Sequence, residues 1–195
     1  MFLKVDPIVL RGTAVRLEPL SQDHAQGLYN RGRVEADWAY MPRSCFIDMP
    51  DTRQWIDEAL NATAQIPFAI VETAKDRAVG SSRFLNIRPE HGSLEIGWTW
   101  LGQDWQRTAV NTEAKLLLLS YTFERLGCVR VEFKTDARNE RSQRALQRIG
   151  ATREGVLRNQ MIVQDNYVRD SVYFSIIESE WRQVKKRLQK SVNRS

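Results

Sequence analysis

The sequence predicts an α+β (α/β) fold, a mixed and mostly antiparallel twisted sheet flanked by helices. Three observations lead there. Short alternating apolar–polar runs recur along the chain, two helix-period runs at 111–126 and 139–149 each lie between such strands, and Gly127 and Gly150 stand just past those helices. From residue 93 onward the order is strand, loop, helix, strand, helix, strand, strand, which sets one strand–helix–strand unit inside a sheet otherwise joined by short turns.

The elements follow in order. Residues 15–20 alternate as a strand, and Ser21 suits the cap of a short helix carrying His24, Leu28 and Tyr29. Residues 31–50 contain Pro42 and Pro50 and no clean period, so helix fragments and loop are expected. Asp51 with Gln54 three residues on resembles a capping box, and Trp55, Ile56, Ala59, Leu60 and Thr63 repeat at helical spacing. Residues 67–71 and 78–87 read as strands around a turn near Lys75 and Asp76. Ser93–Leu101 is a clear strand, with Leu94, Ile96, Trp98 and Trp100 expected on one face and Glu95, Gly97 and Thr99 on the other. A glycine inside a strand marks a bulge or a close approach. Residues 128–135 alternate as a strand, and 139–149 place Ser142, Ala145, Leu146 and Ile149 on one helical face. Residues 155–163 and 167–177 form a hairpin around Asp165 and Asn166, and 178–189 form a terminal helix.

The 195 residues, 42% hydrophobic and 27% charged, suit one folded domain over 1–195 with a basic helix and tail at 178–195, and exclude a disordered chain. No run approaches the roughly 20 apolar residues of a membrane helix. The opening MFLKVDPIVLRG has too short an apolar core for a secretory signal. Cys45 and Cys128 make no disulfide framework or CxxC pair, and His24 and His91 lie far apart. A cytoplasmic protein is expected, with no metal and no membrane partner. Lys plus Arg is 29 against 24 for Asp plus Glu, but residues 181–195 hold six basic residues and no acidic one. The remainder, 23 basic against 24 acidic, is not basic, so a nucleic-acid or ribosome-surface role would rest on local patches or on the tail.

The chemistry concentrates between Trp98 and Asn139. A polar loop after a strand opens a helix, whose amino end exposes unpaired N–H groups and a partial positive charge. Such an end seats a phosphate or pyrophosphate. Arg107 adds a full charge, and Thr108, Asn111 and Thr112 add side-chain hydrogen bonds. Read as residues alone, the loop fits either a phosphate seat or an ordinary capped connection.

The run WQRTAVNTEAKLLLL, preceded by LEIGWTWL and followed by FKTDARNERSQRALQRIGATREGVLR, resembles the GCN5-related N-acetyltransferases, the GNAT family, and within it the ribosomal-protein-alanine (RimJ/RimL-type) branch. The resemblance covers 93–177 and, more loosely, the chain from Leu10. It implies a sheet with a V-shaped splay between the family's fourth and fifth strands, where acetyl-CoA inserts. The family's phosphate loop, Gln/Arg-x-x-Gly-x-Gly/Ala, falls on Gln106, Arg107, Thr108, Ala109, Val110 and Asn111, with Thr112 beside them. Ala109 stands where the pattern has glycine, and Asn111 where it has glycine or alanine; the Ala109 methyl is accommodated if its φ is negative and obstructive if the loop needs φ > 0. The resemblance further implies that the backbone of Trp98, Trp100 and Leu101 runs along the pantetheine arm, much as an added strand would. Asn139 matches the family's pantetheine-contacting Asn, and also suits a helix N-cap. Arg144 and Arg148 could reach nucleotide phosphates or simply form a solvated helix face.

An amine must be neutral to attack, and free amines are mostly protonated at pH 7. The resemblance places a carboxylate on the strand before the phosphate loop, so Glu95 is the candidate base; the alternative is a solvent-facing Glu on a half-exposed strand. Relatives that use a Tyr to protonate the thiolate have it where this chain has Leu146, and Ser142 matches the Ser given that part in the RimL-like branch. Ser142 otherwise fits polar packing in a first helical turn. Trp38 and Tyr40, in the irregular segment, are candidates for a substrate wall, Trp55 for core, and Glu35, Asp37 and Asp48 could attract a cationic amine. The implied function is acetyl transfer from acetyl-CoA to an amine acceptor, a peptide N-terminus or a small molecule, by a monomer or homodimer. An acyl-CoA-binding module without turnover is the alternative.

Overall fold

The computed structural model describes residues 5–193. Eight strands form one sheet: β1 (Leu10–Arg11), β2 (Val15–Pro19), β3 (Ile66–Glu72), β4 (Arg77–Arg88), β5 (Ser93–Leu101), β6 (Arg130–Asp136), β7 (Thr152–Ile162) and β8 (Val168–Ile177), in the order β1-β2-β3-β4-β5-β6-β8-β7. Every neighbouring pair is antiparallel except β5 and β6, which run parallel. The parallel pair needs a crossover, and α3 (Ala109–Ser120) supplies it. This is the mixed, mostly antiparallel sheet that the sequence predicts, with a two-residue strand added at its edge.

Helices cover both faces. On one, α3, α4 (Glu140–Ile149) and α5 (Glu178–Val192) bury Val110, Ala114, Leu118, Leu146, Ile149, Trp181, Val184 and Leu188 with Leu94, Ile96, Val131, Phe133, Phe174 and Ile176. The α5 residues Trp181, Val184 and Leu188 recur at helical spacing, so its basic residues Arg182, Lys186 and Lys190 face outward. Of the basic tail, Arg194 lies outside the described residues. On the other face, α1 (Ala25–Arg31) and α2 (Met49–Asn61) pack Leu28, Trp55, Ile56 and Ala59 on Ala69, Val71 and Ala78.

Two helix starts differ from the sequence reading. α2 begins at Met49, capped by Asp48, whose side chain accepts from Asp51 N at 2.8 Å; Asp51 is already in the first turn, and Pro50 sits where a missing N–H costs nothing. Asp48→Ala lowers stability by about 1 kcal/mol in urea melts, and an unchanged midpoint would deny Asp48 its capping role. α3 begins at Ala109 instead of Asn111, because Thr108 is the N-cap; the helix closes in a π-helical turn over Tyr121–Arg125 ahead of Gly127. The Glu113 carboxylate on α3 accepts three backbone N–H groups of the β1–β2 turn, from Thr13, Ala14 and Val15, at 2.7–2.9 Å. Those bonds anchor α3 across the sheet, and a side chain at Gly12 would collide with that carboxylate.

Candidate active site

Pairing between β5 and β6 covers only Ser93–Arg130, Leu94–Val131 and Glu95–Glu132. Beyond it β5 continues beside β4 to Leu101, while β6 continues beside β8 to Asp136. The two strands therefore part, and residues 96–101 of β5 have no strand partner on the β6 side among the described residues. An unpaired edge inside a sheet is a template for an extended chain.

A bulge reshapes β5 at this point. Arg83 pairs with Gly97 and Ser81 with Trp100, so three steps along β5 oppose two along β4. Trp98 absorbs the extra residue with φ +51°. The alternation expected for this strand consequently fails past Gly97. Trp100 is buried on the α1–α2 face with Trp38, Phe46 and Trp55, opposite Leu94 and Ile96. The Arg83 guanidinium lies over the Trp98 ring at 4.4 Å and the Trp55 ring at 5.0 Å, and burial pulls it down to about 10.

The amino end of α3 stands at the open end of the splay. Thr108 Oγ1 accepts from Val110 N at 3.3 Å and donates to the Trp105 carbonyl at 2.8 Å, while the N–H groups of Ala109 and Asn111 have no side-chain acceptor among the described residues. Ala109 is a helical residue, and the left-handed position in this loop belongs to exposed Arg107, with φ +61°. The methyl group of Ala109 is thus compatible with the turn. Gln106 shapes the loop: its Nε2 donates to Asp37 Oδ1 at 2.7 Å and to the Leu101 carbonyl at 2.9 Å, and its Oε1 accepts from Arg141 Nη1 at 2.8 Å. That last bond sets the first turn of α4 beside the first turn of α3. Asn139 is the N-cap of α4 and accepts from Ser142 N at 2.9 Å; Ser142 is half-buried in that first turn. Arg144 and Arg148 are exposed, and Arg144 pairs with Glu140. Helix N–H donors, an unpaired strand edge and a second helix amino end therefore converge, an arrangement whose charge and extended shape suit coenzyme A.

Glu95 sits on the α1–α2 side of the splay and is 2% exposed, so it is not the solvent-facing residue that the strand pattern allowed. Its Oε2 accepts from Asn86 Nδ2 at 2.8 Å and lies 3.6 Å from Lys134 Nζ on β6. A Cβ at Gly97 would stand 2.9 Å from Glu95 Oε1 and 2.7 Å from the Leu85 side chain, so glycine there leaves room for the carboxylate. Next along the floor, Asp136 is buried. Burial raises its carboxyl, but the guanidinium and N–H of Arg138 outweigh that and hold it below the ordinary range.

Trp38 is not part of a wall. It is fully buried, edge-on to Phe46 at 4.9 Å and tilted against Trp100 at 5.0 Å. Tyr40 is exposed, 5.7 Å from the Arg138 guanidinium, which stacks on Tyr167 at 3.5 Å. Of the acidic residues, Asp48 caps α2, Asp37 binds Gln106, and Glu35 lines an open cleft of about 870 Å³ with Ala39, Arg138 and Tyr167. Sequence reasoning missed Arg138, Tyr167 and Gln164, whose Nε2 donates to the carbonyls of Trp38, Met41 and Arg43 at 2.7–2.9 Å and clamps the irregular segment to the β7–β8 turn. No local pattern marks Gln164, whose partners lie more than a hundred residues away, or the stacking of Arg138 on Tyr167, 29 residues on.

A splayed sheet with a helix amino end at its mouth is the architecture of the acyl-CoA-dependent transferases. Residues 14–152 match the acetyltransferase (GNAT) domain family, and the chain belongs to it. The GCN5-related N-acetyltransferase of Brucella melitensis superposes with a TM-score of 0.93 at 30% identity, over 97% of this chain and 87% of that one. The uncharacterized N-acetyltransferase p20 of Bacillus licheniformis is 29% identical over 146 residues, 73% of this chain and 80% of its own. YdaF of Bacillus subtilis (strain 168), named as a ribosomal N-acetyltransferase, is 31% identical over 96 residues; the match spans about half of each protein, 49% of this chain and 51% of YdaF. The splay between β5 and β6 is the family's fourth–fifth opening once the short β1 is counted. Among the described residues no helix is long and apolar enough to cross a membrane.

Proposed function

We propose that the protein is a cytoplasmic N-acetyltransferase of the RimJ/RimL-like kind, a single catalytic domain that transfers the acetyl group of acetyl-CoA to a primary amine by direct attack in a ternary complex. The observation that carries this reading is the parting of β5 and β6 after Glu95 and Glu132, with the amino end of α3 at its mouth. Acetyl-CoA supplies an activated acyl group and a thiolate leaving group. Arg107 and the N–H groups of residues 108–112 hold the pyrophosphate. The free edge of Trp98, Trp100 and Leu101 lies along the pantetheine arm, Asn139 and Ser142 contact the arm from α4, and a β5 N–H donates to the developing oxyanion. Glu95 takes the proton that the acceptor amine sheds. The acceptor enters across the cleft beside Tyr40, Arg138 and Glu35. The name of YdaF favours a protein N-terminal α-amine, and a small-molecule amine is the other acceptor class.

Calorimetric titration with acetyl-CoA gives saturable binding, and thiol release across a panel of peptides and small amines identifies the acceptor. Absence of saturation at millimolar acetyl-CoA would overturn the reading.

A further inference from the structure

A buried amine not used above lies in the same opening. Lys115 follows Ala109 by six residues, about 9 Å along α3 from the phosphate end. Its side chain is turned to the sheet and is 6% exposed. Nζ donates to Thr99 Oγ1 at 2.8 Å and stands 5.7 Å from the centre of the Phe133 ring. Thr99 belongs to the unpaired stretch of β5, and Phe133 is the first β6 residue after the last β5–β6 pair. The amine is therefore held between the two strands where they have separated, with Thr99 itself bonded to Ser82 at 2.7 Å. A lysine ammonium has three donors, and Thr99 satisfies one. Among the described residues no carboxylate pairs with it.

We propose that Lys115 Nζ donates to the sulfur of the acyl donor and protonates the departing thiolate, an inference that rests on the acetyl-CoA reading above. The acceptor nitrogen forms its bond to the acyl carbon, and the C–S bond breaks with its electron pair on sulfur. Lys115 gives that sulfur a proton and becomes a neutral amine, while the proton shed by the acceptor goes to Glu95. Both groups return to their starting states by exchange with solvent, so a thioester and an amine become an amide and a thiol. Desolvation makes the transfer downhill: burial pulls the amine down to about 7, below the roughly 8.5 of an ordinary thiol. Ser142, a hydroxyl, is a far weaker acid.

The test compares coenzyme A with desulfo-coenzyme A, in which hydrogen replaces the thiol, by calorimetry on the full chain. The wild type binds coenzyme A about ten-fold or more tightly than the desulfo form, as a charge-assisted hydrogen bond to sulfur requires. Lys115→Met binds the two alike, near the wild-type affinity for the desulfo form. Lys115→Arg retains a donor that cannot be deprotonated, so it keeps the preference for coenzyme A while turnover falls. Equal binding of both ligands by the wild type overturns the proposal, as does a preference that survives in Lys115→Met or full turnover by Lys115→Arg. Equal loss of both ligands in Lys115→Met would place the amine on the arm and not on sulfur. If the wild type binds neither ligand, the acetyl-CoA reading falls first and this proposal with it.

Discussion

Glu95→Gln lowers turnover by about ten-fold or more and leaves acetyl-CoA affinity unchanged. The substitution is nearly isosteric, and the Gln carbonyl still accepts the 2.8 Å bond from Asn86 Nδ2, so the bulged strand and the free β5 edge keep their geometry. What disappears is the only carboxylate that β5 presents on the acceptor side of the splay, with Gly97 making room beside it. Lys134 loses a counter-charge at 3.6 Å but remains near enough to the surface to be solvated. Thiol-release kinetics together with calorimetric titration separate chemistry from binding. Unchanged turnover would remove Glu95 from the mechanism, and a parallel loss of acetyl-CoA affinity would reassign it to holding the strand.

Lys115→Met stabilises the fold, most strongly at and below pH 7. The amine has an ordinary value of 10.5 in the unfolded chain and about 7 in the folded one, with desolvation as the cause. Between those values the unfolded state binds more protons, so wild-type stability rises with pH and is lowest on the acidic side of 7. At about 1.4 kcal/mol for each pH unit, charging the buried amine costs on the order of 5 kcal/mol relative to charging it in the unfolded chain. Methionine removes that cost at similar volume and gives up one hydrogen bond to Thr99, worth about 1 kcal/mol. Urea melts of both proteins at pH 6 and near pH 10 measure it: the advantage of the variant is large at the lower pH and shrinks at the higher. A constant difference across that range would mean that Lys115 is not desolvated. A residue that weakens the fold and lies where the strands part is most simply explained by chemistry that needs it.

Most elements were legible because their signals are local. The apolar residues of Ser93–Leu101 alternate in sequence, Gly127 and Gly150 stand past the ends of their helices, Asn139 sits where an N-cap belongs, and the polar run from Gln106 to Thr112 marks the loop that opens α3. The bulge at Trp98 was not legible. One extra residue opposite β4 leaves no mark in the alternation of four apolar side chains, yet it moves Trp100 to the opposite face from Leu94 and Ile96. Lys115 was equally hidden, since a lysine within EAKLLLL reads as one more polar helix position until Thr99 and Phe133 are brought beside it. In the irregular segment nothing distinguished Trp38 from Tyr40, and only the packing of Phe46, Trp55 and Trp100 drew the first inside and left the second exposed.

The sequence by itself determined the order of strands and helices, the position of the loop that opens α3 and the kinship of the chain, because each depends on residues within a few positions of one another. Where the strands part, which carboxylate and which amine lose their water, and which aromatic ring stays at the surface were decided by the tertiary structure. Desolvation and charge proximity are properties of neighbours in space, and here those neighbours come from β4, β5, α3 and β6, segments that one-dimensional periodicity cannot bring together.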